Sequence, residues 1–300
     1  MYKRQCGKTA FLRQAVLLLE ERGYSVIYVS PLQRDARDVL VYSESLRSLV
    51  RDALKAIPEP YSRIADVAVH LAVYIVRRVS RPRLALLLDD VFQAIGLERV
   101  EEYVKTLLNL IEHPPGDYER IVVVVASGEG LSRERLAMHS WVSPRMMWNM
   151  GVEGFRALYE RLPGEKPSFR EVWRLAGGNP RLLARLYQAG WDAEALVDEL
   201  MEEKELTRLI GALGGRERRL LREVLEDPDV LIEHLGEEAG RRLERLLVEY
   251  NLVSRVYRRS AHLWVDYVPP RRDHELGIGE LYAWQAPVYR DAVRRVVEGA

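Results

Sequence analysis

A disulfide framework is excluded from the outset, because this chain of 300 residues holds one cysteine, Cys6. A cysteine metal cluster is excluded for the same reason, and a reducing compartment fits. Charge of one sign is also missing. Lys and Arg total 45 and Asp and Glu total 45, so the formal net charge is zero. No whole-molecule field draws nucleic acid or an anionic membrane, and any such site has to be a local patch. Long apolar runs are absent too. The longest, Leu84–Leu88 and Ile121–Ala126, are far too short to span a bilayer. No apolar segment with a small-residue cleavage site follows the polar and basic start. The expectation is a soluble, cytoplasmic protein.

What is present is a chain rich enough in apolar residues, at 48%, for two or three compact domains. Thr9–Glu21 carries Phe11, Ala15, Leu18 and Leu19 at helical spacing, and Gly23 closes it. Tyr24–Val29 reads as a strand. Helical patterns cover Val41–Ile57 and Tyr61–Val79. The strand-length run Leu84–Leu88 ends in Asp89-Asp90. A helix over Leu97–Ile111 leads to the apolar strand Ile121–Ala126. Strands apolar on both faces and separated by helices predict a buried parallel sheet of the α/β doubly wound class.

From about Val152 to Leu213 the pattern is helical throughout, broken at Pro163-Gly164, Gly177-Gly178-Asn179-Pro180 and Gly190, as in a small helical lid. A third region starts near Gly214-Gly215. Helical patterns cover Arg216–Leu225, Val230–Leu235 and Glu237–Tyr250. Strand-like runs Leu252–Tyr257 and His262–Val268 follow, with Arg258-Arg259-Ser260 as the tip between them. That order predicts a winged helix. A last helix is expected over Pro287–Val297. The expected division is a core over 1–150, a lid over 151–213 and a winged-helix domain over 214–300.

Gly7-Lys8-Thr9 at the start of an amphipathic helix supplies the second half of the phosphate-binding pattern G-x-x-x-x-G-K-[ST]. In such a loop the backbone N–H groups of Cys6 to Ala10 face a phosphate at the helix N-terminus. Lys8 would bridge β- and γ-phosphate oxygens, and the Thr9 hydroxyl would ligate Mg²⁺. Asp89, at the carboxyl end of a buried strand, is the expected second Mg²⁺ ligand, and Asp90 the residue that orients the attacking water. The alternative for Asp89-Asp90 is a strand-terminal turn or a helix cap. Cys6 fits either a small loop residue or a reactive thiol. The first glycine of the pattern falls at Tyr2, and the strand that usually feeds the loop is missing. A start upstream of Met1 is the economical expectation, and a degenerate loop the alternative.

Cys6–Thr9 (CGKT), Leu86–Gln93 (LLLDDVFQ), Val123–Gly128 (VVVASG), Gly177–Leu183 (GGNPRLL) and Trp284–Val296 together resemble the archaeal ATPase family within the AAA+/STAND P-loop NTPases. The resemblance implies ATP as ligand, Mg²⁺ as its cation, and further site residues. Ser127 stands where a sensor of the γ-phosphate belongs. Arg133, Arg135 or Arg145 would supply a transition-state cation, with Arg145 ranked first. Gly178-Asn179-Pro180 would turn the backbone against the adenine, and Arg181 would act as a second sensor. Asn179 as helix N-cap with Pro180 at the first helical position accounts for the same residues structurally.

The expected function is an ATP-driven switch whose winged helix contacts DNA or a protein partner. The alternative is a non-hydrolysing DNA- or protein-binding module with a decayed or truncated loop. Arg241, Arg242, Arg245, Arg258 and Arg259 are the candidate DNA contacts. Yet from Gly215 onward 15 Arg face 16 Asp and Glu, where a dedicated DNA reader carries a basic excess.

Overall fold

In a computed structural model, residues 6–33, 35, 39–56, 64–128, 142–256 and 258–299 are described. The chain divides into two compact units, Lys8–Pro144 and Arg145–Ala300, the second also taking in Cys6 and Gly7.

The first unit is an α/β sheet of order β2-β1-β3-β4. Its strands are β1 (Ser25–Val29), β2 (Leu40–Tyr42), β3 (Arg83–Asp89) and β4 (Arg120–Ala126). β1, β3 and β4 are parallel, with Val29 opposite Leu88 and Asp89 opposite Ala126. β2 is antiparallel to β1. The core residues of β1 and β3 are wholly buried, which is why both read as uninterrupted apolar runs. Among the described residues the unit also holds helices α1 (Lys8–Glu21), α2 (Arg47–Ala56), α3 (Ile64–Arg78), the short α4 (Val91–Ile95) and α5 (Val100–Glu112).

Two expectations change here. Val41 lies in strand β2, not at the start of a helix; the helical pattern takes hold only at Arg47. Leu-Val-Tyr suits a strand, and the open edge of β1 supplies the partner. Ile121–Val125 are only half-buried despite their apolar character, because among the described residues no strand pairs with the outer edge of β4.

The second unit holds β5 (Met146–Met147), α6 (Val152–Glu160), α7 (Phe169–Ala176), α8 (Pro180–Gln188), α9 (Ala193–Glu203), α10 (Leu206–Gly211), α11 (Gly215–Glu226), α12 (Val230–Glu233) and α13 (Glu238–Glu249). It ends in β6 (Val253–Arg255), β7 (Trp264–Val265), β8 (Tyr282–Trp284) and α14 (Pro287–Gly299). Ser168 and Glu171 form a capping box at the start of α7. One apolar core runs from Phe155 through Leu182, Leu220 and Leu243 to Trp284 and Val293. The regions before and after Gly214 therefore share it, joined by α14, which packs on α7, α9, α10 and α11.

The expected hairpin is rearranged. β6 pairs antiparallel with β8, and β7 pairs parallel with β5. Trp264 also packs edge-on against Trp148. Ala261–Leu263 forms a 3-10 turn and Asp266 has φ 68°, so the expected second strand keeps an extended run only at Trp264–Val265. Asp229 instead fixes the start of β8: its carboxylate accepts the backbone N–H groups of Glu280, Leu281 and Tyr282.

Candidate functional site

The carboxyl ends of β3 and β4 carry the acidic and hydroxyl residues of the expected site. Asp89 closes β3 and is 1% exposed. Ser127 follows β4, one residue past Ala126, the register partner of Asp89, and is buried. The N–H of Asp90 donates to the Ala126 carbonyl at 2.9 Å, locking the two strand ends together. Asp90 has φ 50° and ψ 25°, a left-handed conformation rare outside glycine, and opens α4 without a side-chain cap bond. The helix-cap alternative for its side chain is thereby not realised.

Lys8 begins α1 and is buried. The Thr9 hydroxyl hydrogen-bonds the Asp89 carboxylate, and the Lys8 charge acts on the same group. Burial pushes the Asp89 carboxyl above the usual carboxylate range. The Thr9 bond opposes that shift, the Asp90 charge adds to it, and Tyr28 and Lys8 oppose it again. Tyr28 Oη donates to Asp89 Oδ2 at 3.2 Å. Burial together with the Asp89 charge raises the Tyr28 phenol, so it remains a donor at neutral pH.

Asp89 Oδ1 is fully buried and has no hydrogen-bond partner. Buried carboxylate oxygens are normally satisfied, so an orphan at a strand end calls for a ligand. Hydroxyl and carboxylate oxygens are the hard donors that Mg²⁺ takes. Thr9 and Asp89 therefore fit that cation, and Lys8 with the first turn of α1 fits the phosphates beside it.

Cys6 and Gly7 group with the second unit. Cys6 is 1% exposed, and its Sγ donates to the Met147 carbonyl at 3.6 Å, so the reactive-thiol reading gives way to a packed one. Ala10 is exposed in the first turn of α1.

Arg145, Pro180 and Arg181 belong to the second unit. The Arg145 guanidinium donates to the His262 carbonyl. Asn179 caps α8, its Oδ1 accepting from the N–H groups of Arg181 and Leu182, with Pro180 at the first helical position. The structural account of that motif thus holds, and Arg181 is left exposed on the helix it starts. Arg133 and Arg135 lie outside the described residues.

Two residues escaped the sequence reading. Tyr28 is a phenol inside the buried run Val26–Val29, and such a hydroxyl requires a partner. Asn149 is a buried amide in the apolar run Met146–Met150. Its Nδ2 donates to the carbonyls of Gly177 at 2.8 Å and Gln285 at 3.0 Å. The rule that buried polar groups find partners would have pointed to both.

Residues 3–186 match the model of a family described as an ATPase domain predominantly from Archaea. The chain belongs to this family. The match runs from the phosphate-loop segment through β3, β4 and the Gly177–Pro180 turn into α8, so the ATPase domain takes in the first helices of the second unit. It is a P-loop ATPase family, and ATP is the ligand it implies. No curated protein matches the chain. Among the described residues no helix is long and apolar enough to cross a membrane.

The candidate DNA contacts are mostly engaged within the unit. Arg241 donates to the carbonyls of Leu235 and Gly236, and Arg242 pairs with Glu217 at 3.4 Å. Arg259 is tucked against the carbonyls of Pro270, Gly279 and Glu280, where burial lowers its pKa. Arg245 and Arg258 are exposed.

Proposed function

We propose that this chain is a magnesium-dependent ATPase that works as a nucleotide-driven switch. The observation that carries the reading is that the Thr9 hydroxyl and the Lys8 charge both act on the Asp89 carboxyl, one oxygen of which is buried and without a hydrogen-bond partner. Lys8 and the N–H groups from Cys6 to Ala10 bind the β- and γ-phosphates. Thr9 and Asp89 hold Mg²⁺, which neutralises charge on the phosphate oxygens. Asp90, set by its left-handed backbone, orients the attacking water, and Ser127 reads the γ-phosphate. Arg181 serves as a second sensor, with Pro180 beside it shaping the adenine contact. Arg145 is the candidate for the transition-state cation, on the family resemblance.

The lid over 151–213 transmits the nucleotide state to the region from 214 onward. We read that region as a winged-helix variant with β6 and β8 as its strands. Its partner is a protein rather than duplex DNA, because Arg241, Arg242 and Arg259 already serve internal contacts.

Calorimetry of ATP binding with and without Mg²⁺, for wild type and Lys8→Ala, tests the nucleotide half. Tight Mg²⁺-dependent binding lost in Lys8→Ala is expected. Absence of Mg²⁺-dependent binding in wild type overturns the reading. Salt-dependent binding to duplex DNA that ignores ATP supports a non-hydrolysing module instead.

A further inference from the structure

Tyr28 is 1% exposed, on the strand next to the one that carries Asp89. In the β1–β3 register Tyr28 faces Leu87 and Val29 faces Leu88, which brings the phenol within reach of the strand end. Its Oη donates to Asp89 Oδ2 at 3.2 Å, while Oδ1 has no partner. Tyr28 thus engages one carboxylate oxygen, Thr9 also bonds the group, and the other oxygen has no hydrogen-bond partner. Arg13 of α1 and Ser30 after β1 also hydrogen-bond the phenol. One hydroxyl therefore ties the helix of Lys8 and Thr9 to the strand of Asp89.

An Asp side chain at a strand end is free to turn about two bonds. A buried oxygen that could rotate toward a donor would do so. The phenol at Oδ2, with the Thr9 hydroxyl, restricts that freedom, and Oδ1 is the oxygen without a partner.

We propose that Tyr28 is a positioning residue that orients the Asp89 carboxylate toward Mg²⁺. The proposal rests on the reading of Asp89 as a metal ligand given above. The bond that joins Tyr28 to the site is the one to Asp89. The phenol acts through Asp89, as outer-shell partners of metal ligands do.

The test is Tyr28→Phe in the full chain, which deletes one oxygen and keeps the ring. ATP affinity is measured by calorimetry in EDTA and across a Mg²⁺ titration, and Mn²⁺ binding in the presence of ADP by electron paramagnetic resonance. The half-saturating Mg²⁺ and Mn²⁺ concentrations are expected to rise by about 10-fold, with ATP affinity in EDTA unchanged. Asp89→Asn removes the metal dependence. Adding Tyr28→Phe to it is expected to change nothing further, since the phenol acts through the carboxylate.

An unchanged metal dependence in Tyr28→Phe overturns the proposal. So does an equal loss of affinity with and without metal, which would mark Tyr28 as packing alone, or an additive double variant. Thermal unfolding of Tyr28→Phe separates a fold defect from a metal defect. Where wild type shows no Mg²⁺-dependent nucleotide binding, the ATPase reading itself fails and this proposal with it. Where wild type binds and only Tyr28→Phe is indifferent, the failure belongs to Tyr28.

Discussion

Asn149 donates its side-chain amide to the Gly177 carbonyl at 2.8 Å, and the same nitrogen reaches the Gln285 carbonyl at 3.0 Å. Three segments distant in sequence meet at this one amide: the residues after β5, the Gly177–Pro180 turn and the lead-in to α14. The N–H of Met150 donates to the Gly178 carbonyl at 2.9 Å and extends the junction. Asn149→Ala leaves two buried carbonyls without their donor. The cost is about 1–3 kcal/mol for each one left unpaired, read as a lower midpoint in urea with the slope unchanged. A loss under about 0.5 kcal/mol, the scale of an ordinary surface change, would remove Asn149 from this role.

Gly178 sits in the same junction at φ 78°, and a Cβ built there lies 2.3 Å from the Met150 carbonyl oxygen. Both the dihedral and the space demand glycine. Gly178→Ala incurs about 1–2 kcal/mol for the left-handed backbone alone, and the backbone clash adds to it. Because the clash is with Met150, next to Asn149, and Asn149 bonds Gly177, next to Gly178, Gly178→Ala and Asn149→Ala are expected to be non-additive in a double-mutant cycle.

Much of the first unit was legible from the order of its runs. β1, β3 and β4 are apolar on both faces, and that pattern survives without any knowledge of partners. Asp89 stood out because an acidic pair ends such a run. β2 was not legible: three residues are too few to show a period, and only the free edge of β1 makes them a strand. The same limit hid β8. Tyr282–Trp284 is a strand because it pairs with β6, and Asp229, more than fifty residues upstream, accepts the N–H groups of Leu281 and Tyr282 at its start. Tyr28 and Asn149 were invisible to motif reading for another reason. Their roles lie in what their polar atoms meet across the fold, and sequence spacing carries no trace of that.

Gly240 gives a case where two principles oppose each other. It lies in α13, where exchanging glycine for alanine ordinarily stabilises by about 1 kcal/mol. A Cβ there would stand 1.9 Å from the His234 carbonyl oxygen. Crowding wins, because the neighbour is backbone and cannot swing aside. Gly240→Ala is expected to lower stability by about 1–3 kcal/mol. Gly211→Ala, where nothing lies within 4 Å, is the control and should be neutral or stabilising.

Glu171 offers a pH readout of the helical region. Its Oε2 accepts from the Ser168 N–H at 2.8 Å and the Ser168 hydroxyl at 2.7 Å, and these bonds hold the carboxyl below its ordinary range. The folded value lies under the unfolded value of about 4.3. The group therefore contributes stability above the unfolded value, and that contribution is lost as pH falls through the folded value. Carboxyl chemical shifts followed from pH 7 to 2 should place Glu171 below the exposed glutamates. Ser168→Ala should move it up toward them.

Lys8 and Thr9 separate two halves of nucleotide binding. Lys8 is a buried cation at the head of α1, beside an acidic strand end. Lys8→Ala removes a charge-assisted contact to phosphate, a loss of about 1.5–3 kcal/mol, or roughly 10- to 100-fold in ATP affinity. This loss is expected with or without Mg²⁺, since the contact is to phosphate oxygens. Thr9 meets Asp89 through its hydroxyl, so Thr9→Ala should raise the Mg²⁺ requirement and spare binding in EDTA. Calorimetry at fixed ATP across a Mg²⁺ series distinguishes the two. If Thr9→Ala and Lys8→Ala lost affinity equally in EDTA, the hydroxyl would belong to the phosphate side of the site and not to the metal.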